Sequence, residues 1–152
     1  MNILSTKRVF FIGARLVAFR CLKHLLSQNI QLVGCLFLDD KLQSSTVAHC
    51  SELSDLLPDH IPYQFFTNLK DAKSFAFISS FAFDIGVIIG VSSLLPTDFL
   101  RLPSVGFIGM HPTLLPVGRG RAPIPWAIIK GFTETGVSLF WCHPDADKGP
   151  LI

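Results

Sequence analysis

The feature that most restricts how this chain can fold is a set of short, nearly continuous apolar runs. Lys7-Arg8-Val9-Phe10-Phe11-Ile12-Gly13, Ile30 to Leu38 and Asp84-Ile85-Gly86-Val87-Ile88-Ile89-Gly90 are the clearest. None alternates apolar with polar residues, as a strand with one wet face would, so each specifies a strand covered on both sides. Between the first two runs, Leu16, Phe19, Leu22, Leu25 and Leu26 recur at helical spacing, and Gln28-Asn29 closes the segment. Strand, helix and strand in that order open a crossover unit of a parallel sheet.

The rest of the chain continues the alternation. Residues 39–62 are polar and punctuated by proline, with a short surface helix expected over Ser51 to Leu57. Tyr63 to Phe66 reads as an edge strand, and Asn68 as the cap of a short helix over residues 69–75. Val105 to Met110 and Gly136 to Trp141 read as further strands. Ala122 to Lys130 suits a helix whose first turn holds Pro123 and Pro125 and which Gly131 stops. The expectation is one α/β domain over residues 1–152, a Rossmann-like fold with a largely parallel central sheet flanked by helices.

Composition narrows the function classes. Of 152 residues, 49% are apolar and only 16% charged, and a net charge of +2 gives no electrostatic footprint for nucleic acid or an anionic membrane. A mean hydropathy of +0.48 asks for an interior covered on both faces, a partner surface or a membrane span. The one candidate span, Phe75 to Pro96, carries Asp84 at its centre, which costs about 2.5–3.5 kcal/mol on insertion scales. It divides more naturally into two elements. Cys21, Cys35, Cys50 and Cys142 show no metal-ligand spacing and read as reduced thiols, which fits a cytoplasmic compartment. No metal site is expected.

Ligands of open α/β sheets sit at the carboxyl ends of the strands. That rule selects Gly13-Ala14-Arg15, Val91-Ser92-Ser93, His111-Pro112-Thr113 and the loop from His143 to Gly149. Gly13 stands without the further glycines of a dinucleotide fingerprint, and neither a P-loop nor a Gly-x-Ser-x-Gly elbow occurs. Taken alone, His111 at a strand end and Asp147 in a turn each read more readily as structural than as chemical. Brought together, they make an acid/base unit in which the carboxylate orients the imidazole.

The run from Gly106 to Phe140 resembles the folate-dependent formyltransferases, which include methionyl-tRNA formyltransferase, glycinamide ribonucleotide transformylase and the nucleotide-sugar N-formyltransferases. The matching elements are His111, Thr113-Leu114-Leu115-Pro116, Arg119-Gly120, Glu134-Thr135-Gly136-Val137 and Asp147-Lys148-Gly149. The first strand and the stretch from Asp84 to Pro96 are similar too. This resemblance implies transfer of a formyl group from 10-formyltetrahydrofolate to a primary amine. Negative charge then develops on the formyl oxygen and needs hydrogen-bond donors.

By that similarity His111 supplies a donor and moves protons, while Asp147 pairs with it. Val91, Ser93, Leu94 and Leu95, with Cys142, His143, Pro144 and Asp147, hold the folate, mainly through backbone groups. Gly13, Ala14, Arg15, Thr113, Arg119 and Arg121 face the acceptor, the arginines suiting phosphate or carboxylate. The expected acceptor is a nucleotide-linked amino sugar. A basic patch and the tRNA enzyme's extra domain are both missing from the sequence, and Gly118 to Pro123 looks unlike the glycinamide ribonucleotide branch. A homo-oligomer is compatible with the sequence; a nucleic-acid or membrane partner is not favoured.

Two departures from the family pattern stand out. The family's Asn, two residues before the His, aligns with Gly109, and losing one such donor costs about 2.7–4 kcal/mol in well-studied enzymes. A backbone N–H or a water would have to substitute. The resemblance also predicts a further strand beyond Ile152, so the domain is expected to lack its last strand or strands. The alternatives are therefore an inactive formyltransferase-like remnant that binds folate or a partner chain, and activity of the methionyl-tRNA formyltransferase type.

Overall fold

The computed structural model describes residues 6–39 and 51–152. In chain order the elements are β1 (Arg8–Gly13), α1 (Arg15–Ser27), β2 (Gln31–Leu38), α2 (Ser51–Ser54), β3 (Tyr63–Phe66) and α3 (Ala72–Ser79). There follow β4 (Ile85–Ile89), α4 (Thr97–Leu100), β5 (Gly106–His111), α5 (Pro123–Ile129) and β6 (Ser138–Trp141). The strands form one sheet in the order β3-β2-β1-β4-β5-β6, parallel except for β6.

Both faces of the central strands β1, β2 and β4 are covered, which is why they read as continuous apolar runs. Along β1, Val9 and Phe11 point into a core shared with Ala18 and Leu22 of α1 and Leu53 of α2. Phe10 and Ile12 point into a second core with Ile78 of α3 and Phe99 of α4. Phe10 anchors that side, its ring centroid 5.3, 5.4 and 6.3 Å from those of Phe83, Phe81 and Phe77. Helix α5 is different. Only Ala127 of it is buried, leaving Ile124, Trp126, Ile128 and Ile129 more than half exposed.

After β3 the chain crosses from the edge to the centre, so β1 and β4 diverge to opposite halves of the sheet. Their carboxyl ends touch there, Ala14 N–H donating to the Ile89 carbonyl at 3.0 Å. Such a switch point is where a doubly wound sheet opens a crevice for ligands. The amino ends are tied separately. Asp84, just before β4, accepts from the Arg8 backbone N–H at 2.9 Å, the Arg8 guanidinium at 3.4 Å and the Ser104 hydroxyl at 2.9 Å.

Four expectations need correction. The helix expected over 69–75 lies at Ala72–Ser79, because Asp71 caps it, accepting from Ser74 N–H, while Asn68 closes the preceding turn onto Lys70 N–H at 2.9 Å. Helix α2 stops at Ser54, and Leu53 is fully buried rather than on the surface. The short α4 was not expected at all. Strand β6 runs antiparallel, so its carboxyl end points away from His111, and the loop after it has to fold back. The candidate membrane span is shared between α3 and β4, and among the described residues no helix is long and apolar enough to cross a membrane. Cys50 lies outside the described residues; Cys21, Cys35 and Cys142 are free thiols.

Candidate active site

The His143 to Gly149 loop decides where the chemistry lies. Cys142 N–H donates to the Phe107 carbonyl at 2.7 Å, low on β5, and Trp141 N–H donates to the Pro150 carbonyl at 2.9 Å as the chain returns. Gly149 packs directly on the Trp141 carbonyl, where a Cβ would not fit. Between these fixed points the loop reaches up to the end of β5 and sets Asp147 beside His111. Asp147 Oδ1 is 3.6 Å from His111 Nδ1, and both side chains are largely buried.

Two hydrogen bonds from the loop after β5 hold Asp147 from the other side. Gly120 N–H donates to its Oδ2 at 2.8 Å, and Arg119 Nε donates to its carbonyl at 2.7 Å. Its φ of +52° is left-handed, a conformation that costs a residue with a side chain roughly 1–3 kcal/mol. Arg15, the first residue of α1, and Ala122, which caps α5, also have positive φ. Strain of this kind concentrates where geometry serves a site.

The ring of His111 is committed at both nitrogens. Nε2 lies 2.9 Å from the Gly118 carbonyl, and because a carbonyl only accepts, Nε2 carries a hydrogen. Nδ1 faces the carboxylate, and the two attract only when Nδ1 is protonated as well, in the imidazolium form. At 3.6 Å the contact is longer than a hydrogen bond.

The other expected site residues separate by what the fold does with them. Gly109 is buried on β5 opposite Phe140, and a Cβ on it would stand 2.9 Å from Phe140 Cζ and 3.0 Å from Cys142 Sγ. The space beside His111 where a side-chain donor would start is therefore filled. Thr113 is buried and its hydroxyl donates to the Val117 carbonyl at 2.7 Å, so it shapes the loop rather than facing outward. Gly13 and Ala14 are buried at the end of β1, and Arg15 is exposed beside them.

Val91, Leu95 and Cys142 rest on the same core cluster, bringing the loops after β4 and β6 onto one side of the sheet. Among the described residues, no backbone hydrogen bond engages Ser92, Ser93 or Leu94, and Leu94 is half exposed. His143 and Pro144 are exposed, the His143 ring accepting from Asp145 N–H at 3.1 Å. Burial, with the charge of Asp147 adding to it, pushes the Cys142 thiol up to about 12. It stays protonated at neutral pH.

The chain matches known proteins in sequence and in fold. Residues 35–152 match the family model described as "Formyl transferase". The chain belongs to the formyl transferase family. A methionyl-tRNA formyltransferase of Pseudothermotoga lettingae is 36% identical over 148 residues, covering 95% of this chain and 47% of that protein. The chain thus spans about half the length of the curated relatives it matches. Among solved structures, phosphoribosylglycinamide formyltransferase from Bacillus halodurans has a TM-score of 0.75 at 19% identity, covering 96% of this chain and 77% of that one. A formyltetrahydrofolate deformylase from Pseudomonas syringae has a TM-score of 0.73 at 23% identity, covering 96% of this chain and 49% of that one. These two share the family's fold.

Sequence reasoning missed the residues around the loop from Gly118 to Arg121. Trp126, Lys130 and Phe132 line a cleft with Arg119 and Arg121. The one available signal was Trp126 and Lys130 standing four apart on a helix, where they share a face.

Proposed function

We propose that this chain carries the formyl-transferring site of an enzyme that moves a formyl group from 10-formyltetrahydrofolate to a primary amine. The observation that carries the reading is the His111–Asp147 pair, 3.6 Å apart at the carboxyl end of β5 in a formyl transferase family chain. The donor, when bound, supplies the formyl group. The loops from Val91 to Leu95 and from Cys142 to Asp147 suit it, because they share an apolar floor, and among the described residues no backbone hydrogen bond engages Ser92, Ser93 or Leu94. One structural relative is named for formyltetrahydrofolate.

His111 then has two tasks. Once the Gly118 carbonyl gives way to the bound formyl group, Nε2–H offers a hydrogen bond where negative charge develops on the formyl oxygen, and the ring passes a proton as the amine loses one and the donor nitrogen gains one. Asp147 keeps the ring oriented during that exchange. Gly109 contributes no side chain, so the second donor is a backbone N–H or a water. For the acceptor we favour a nucleotide-linked amino sugar, since Arg119, held on the Asp147 carbonyl, shares a cleft with Arg121. Methionyl-tRNA is the second reading, favoured by the names of the curated relatives.

The test is formyl transfer by the purified chain, with each acceptor supplied in turn, alongside titration with a stable 10-formyltetrahydrofolate analogue. His111→Ala should lower turnover about 10²–10⁴-fold while leaving analogue binding in place. Full turnover by that variant would overturn the assignment of His111. A folded chain that fails to bind the analogue would overturn the donor, and binding without turnover would favour a non-catalytic folate binder.

A further inference from the structure

The cleft beside the loop after β5 has a composition that the fold does not need. It measures about 420 Å³ and is lined by Gly118, Arg119, Arg121, Trp126, Lys130 and Phe132, among others. That volume lies in the range of small-molecule sites. Three of those residues are cations, no lining residue is acidic, and among the described residues no carboxylate pairs with Arg119, Arg121 or Lys130. Gathering like charges costs energy unless an anion joins them.

The aromatic side is equally unused. Trp126 is 51% exposed and Phe132 39%, and Lys130 Nζ lies 5.9 Å from the centre of the Trp126 ring. A flat π-surface next to an ammonium and two guanidinium groups complements a ligand that carries a planar base and a phosphate together. The cleft is also joined to the His–Asp pair. Gly118 is a wall of the cleft and the partner of His111 Nε2, and Arg119 is held on the Asp147 carbonyl. Arg119 therefore touches both the pair and the cleft. A nucleotide-linked amine carries its phosphates between its amine and its base, so an amine at the pair puts them on the Arg119 side; an aminoacylated RNA end carries the base nearer the amine.

We infer that this cleft binds the nucleoside diphosphate portion of the acceptor, Arg119, Arg121 and Lys130 taking the phosphates and Trp126 with Phe132 taking the base. The inference rests on the formyl-transfer reading for the identity of the acceptor, but the binding it asserts does not require the donor. The 152-residue chain is titrated calorimetrically with uridine diphosphate, thymidine diphosphate, inorganic pyrophosphate and the trinucleotide CCA, without folate. A nucleoside diphosphate should saturate the chain and bind more tightly than pyrophosphate. Arg121→Ala and Trp126→Leu, each shown to be folded by circular dichroism, should each weaken it by about tenfold or more.

Failure to saturate, affinity unchanged in both variants, or pyrophosphate binding as tightly as the nucleotides would each overturn the inference. Tighter binding of CCA would overturn it in favour of an RNA end. A chain that binds the folate analogue but no nucleotide refutes this inference alone. One that binds nucleotide but no folate analogue refutes the donor reading and leaves the cleft standing.

Discussion

Gly109 sets the sharpest quantitative test of the site. A Cβ at this position would stand 2.9 and 3.1 Å from Phe140 Cζ and Cε1 and 3.0 Å from Cys142 Sγ. Carbon atoms in favourable contact are about 3.5–4.0 Å apart, so the Phe140 ring would have to retreat by about half an ångström or more. Phe140 is only 7% exposed and pairs with Gly109 across β5 and β6, which leaves the ring little room to move. Gly109→Ala should therefore destabilise the chain by about 1–3 kcal/mol, the usual cost of overpacking a filled core. Phe140→Leu removes the crowding atoms, and the double variant should be more stable than the sum of the two singles predicts, by about 1 kcal/mol.

Urea unfolding, with the slope unchanged between variants, measures all three differences. A Gly109→Ala variant within about 0.5 kcal/mol of the parent, or strict additivity in the double variant, would refute the reasoning. The same geometry bears on catalysis. Gly109→Asn places a larger side chain in the same space, so it should lose stability instead of installing a working donor.

Two further outcomes follow from the charged groups. The Arg8 backbone N–H, with the Arg8 guanidinium and the Ser104 hydroxyl, holds the Asp84 carboxyl down at about 2. Its stabilising effect is complete above the unfolded value of about 3.9 and is lost as pH falls through about 2. Unfolding free energy should drop across that window, and Asp84→Asn should flatten the slope; an unchanged slope would refute the tie. At the other end of the sheet, Asp147→Asn removes one of the two causes that hold the Cys142 thiol protonated. Alkylation of Cys142 at pH 8, followed by mass spectrometry of its peptide, should be faster in the variant, and an equal rate would refute the electrostatic coupling.

The strands were legible because double-sided burial writes itself as continuous apolar runs, and β1, β2, β4 and β5 follow those runs closely. Strand direction leaves no such mark, so the reversal of β6 was hidden, and with it the way the loop returns to His111. Two neighbouring Asx residues competed for one cap, and the choice of Asp71 over Asn68 depends on the turn Asn68 makes locally. At the site, the sequence pattern named both His111 and Asp147. It gave no warning that Thr113 spends its hydroxyl on Val117, or that Phe140 and Cys142 crowd Gly109 from the next strand. The aromatic wall of the cleft was illegible for a simpler reason. On a short helix, Trp126 looks like a core residue until the helix is found to bury only Ala127.

The Arg8–Asp84–Ser104 tie has a consequence for how such a sheet diversifies. It fastens β1, β4 and the entry to β5 at their amino ends, while His111, Asp147 and the cationic cleft occupy loops at the opposite end. The fastening and the chemistry share no residue. Loops at the carboxyl end can thus be lengthened, recharged or reshaped without loosening the anchor that keeps the strands in register. Heritable change at one end of the scaffold is insulated from the other. That insulation suits a fold shared by proteins named for phosphoribosylglycinamide and for formyltetrahydrofolate.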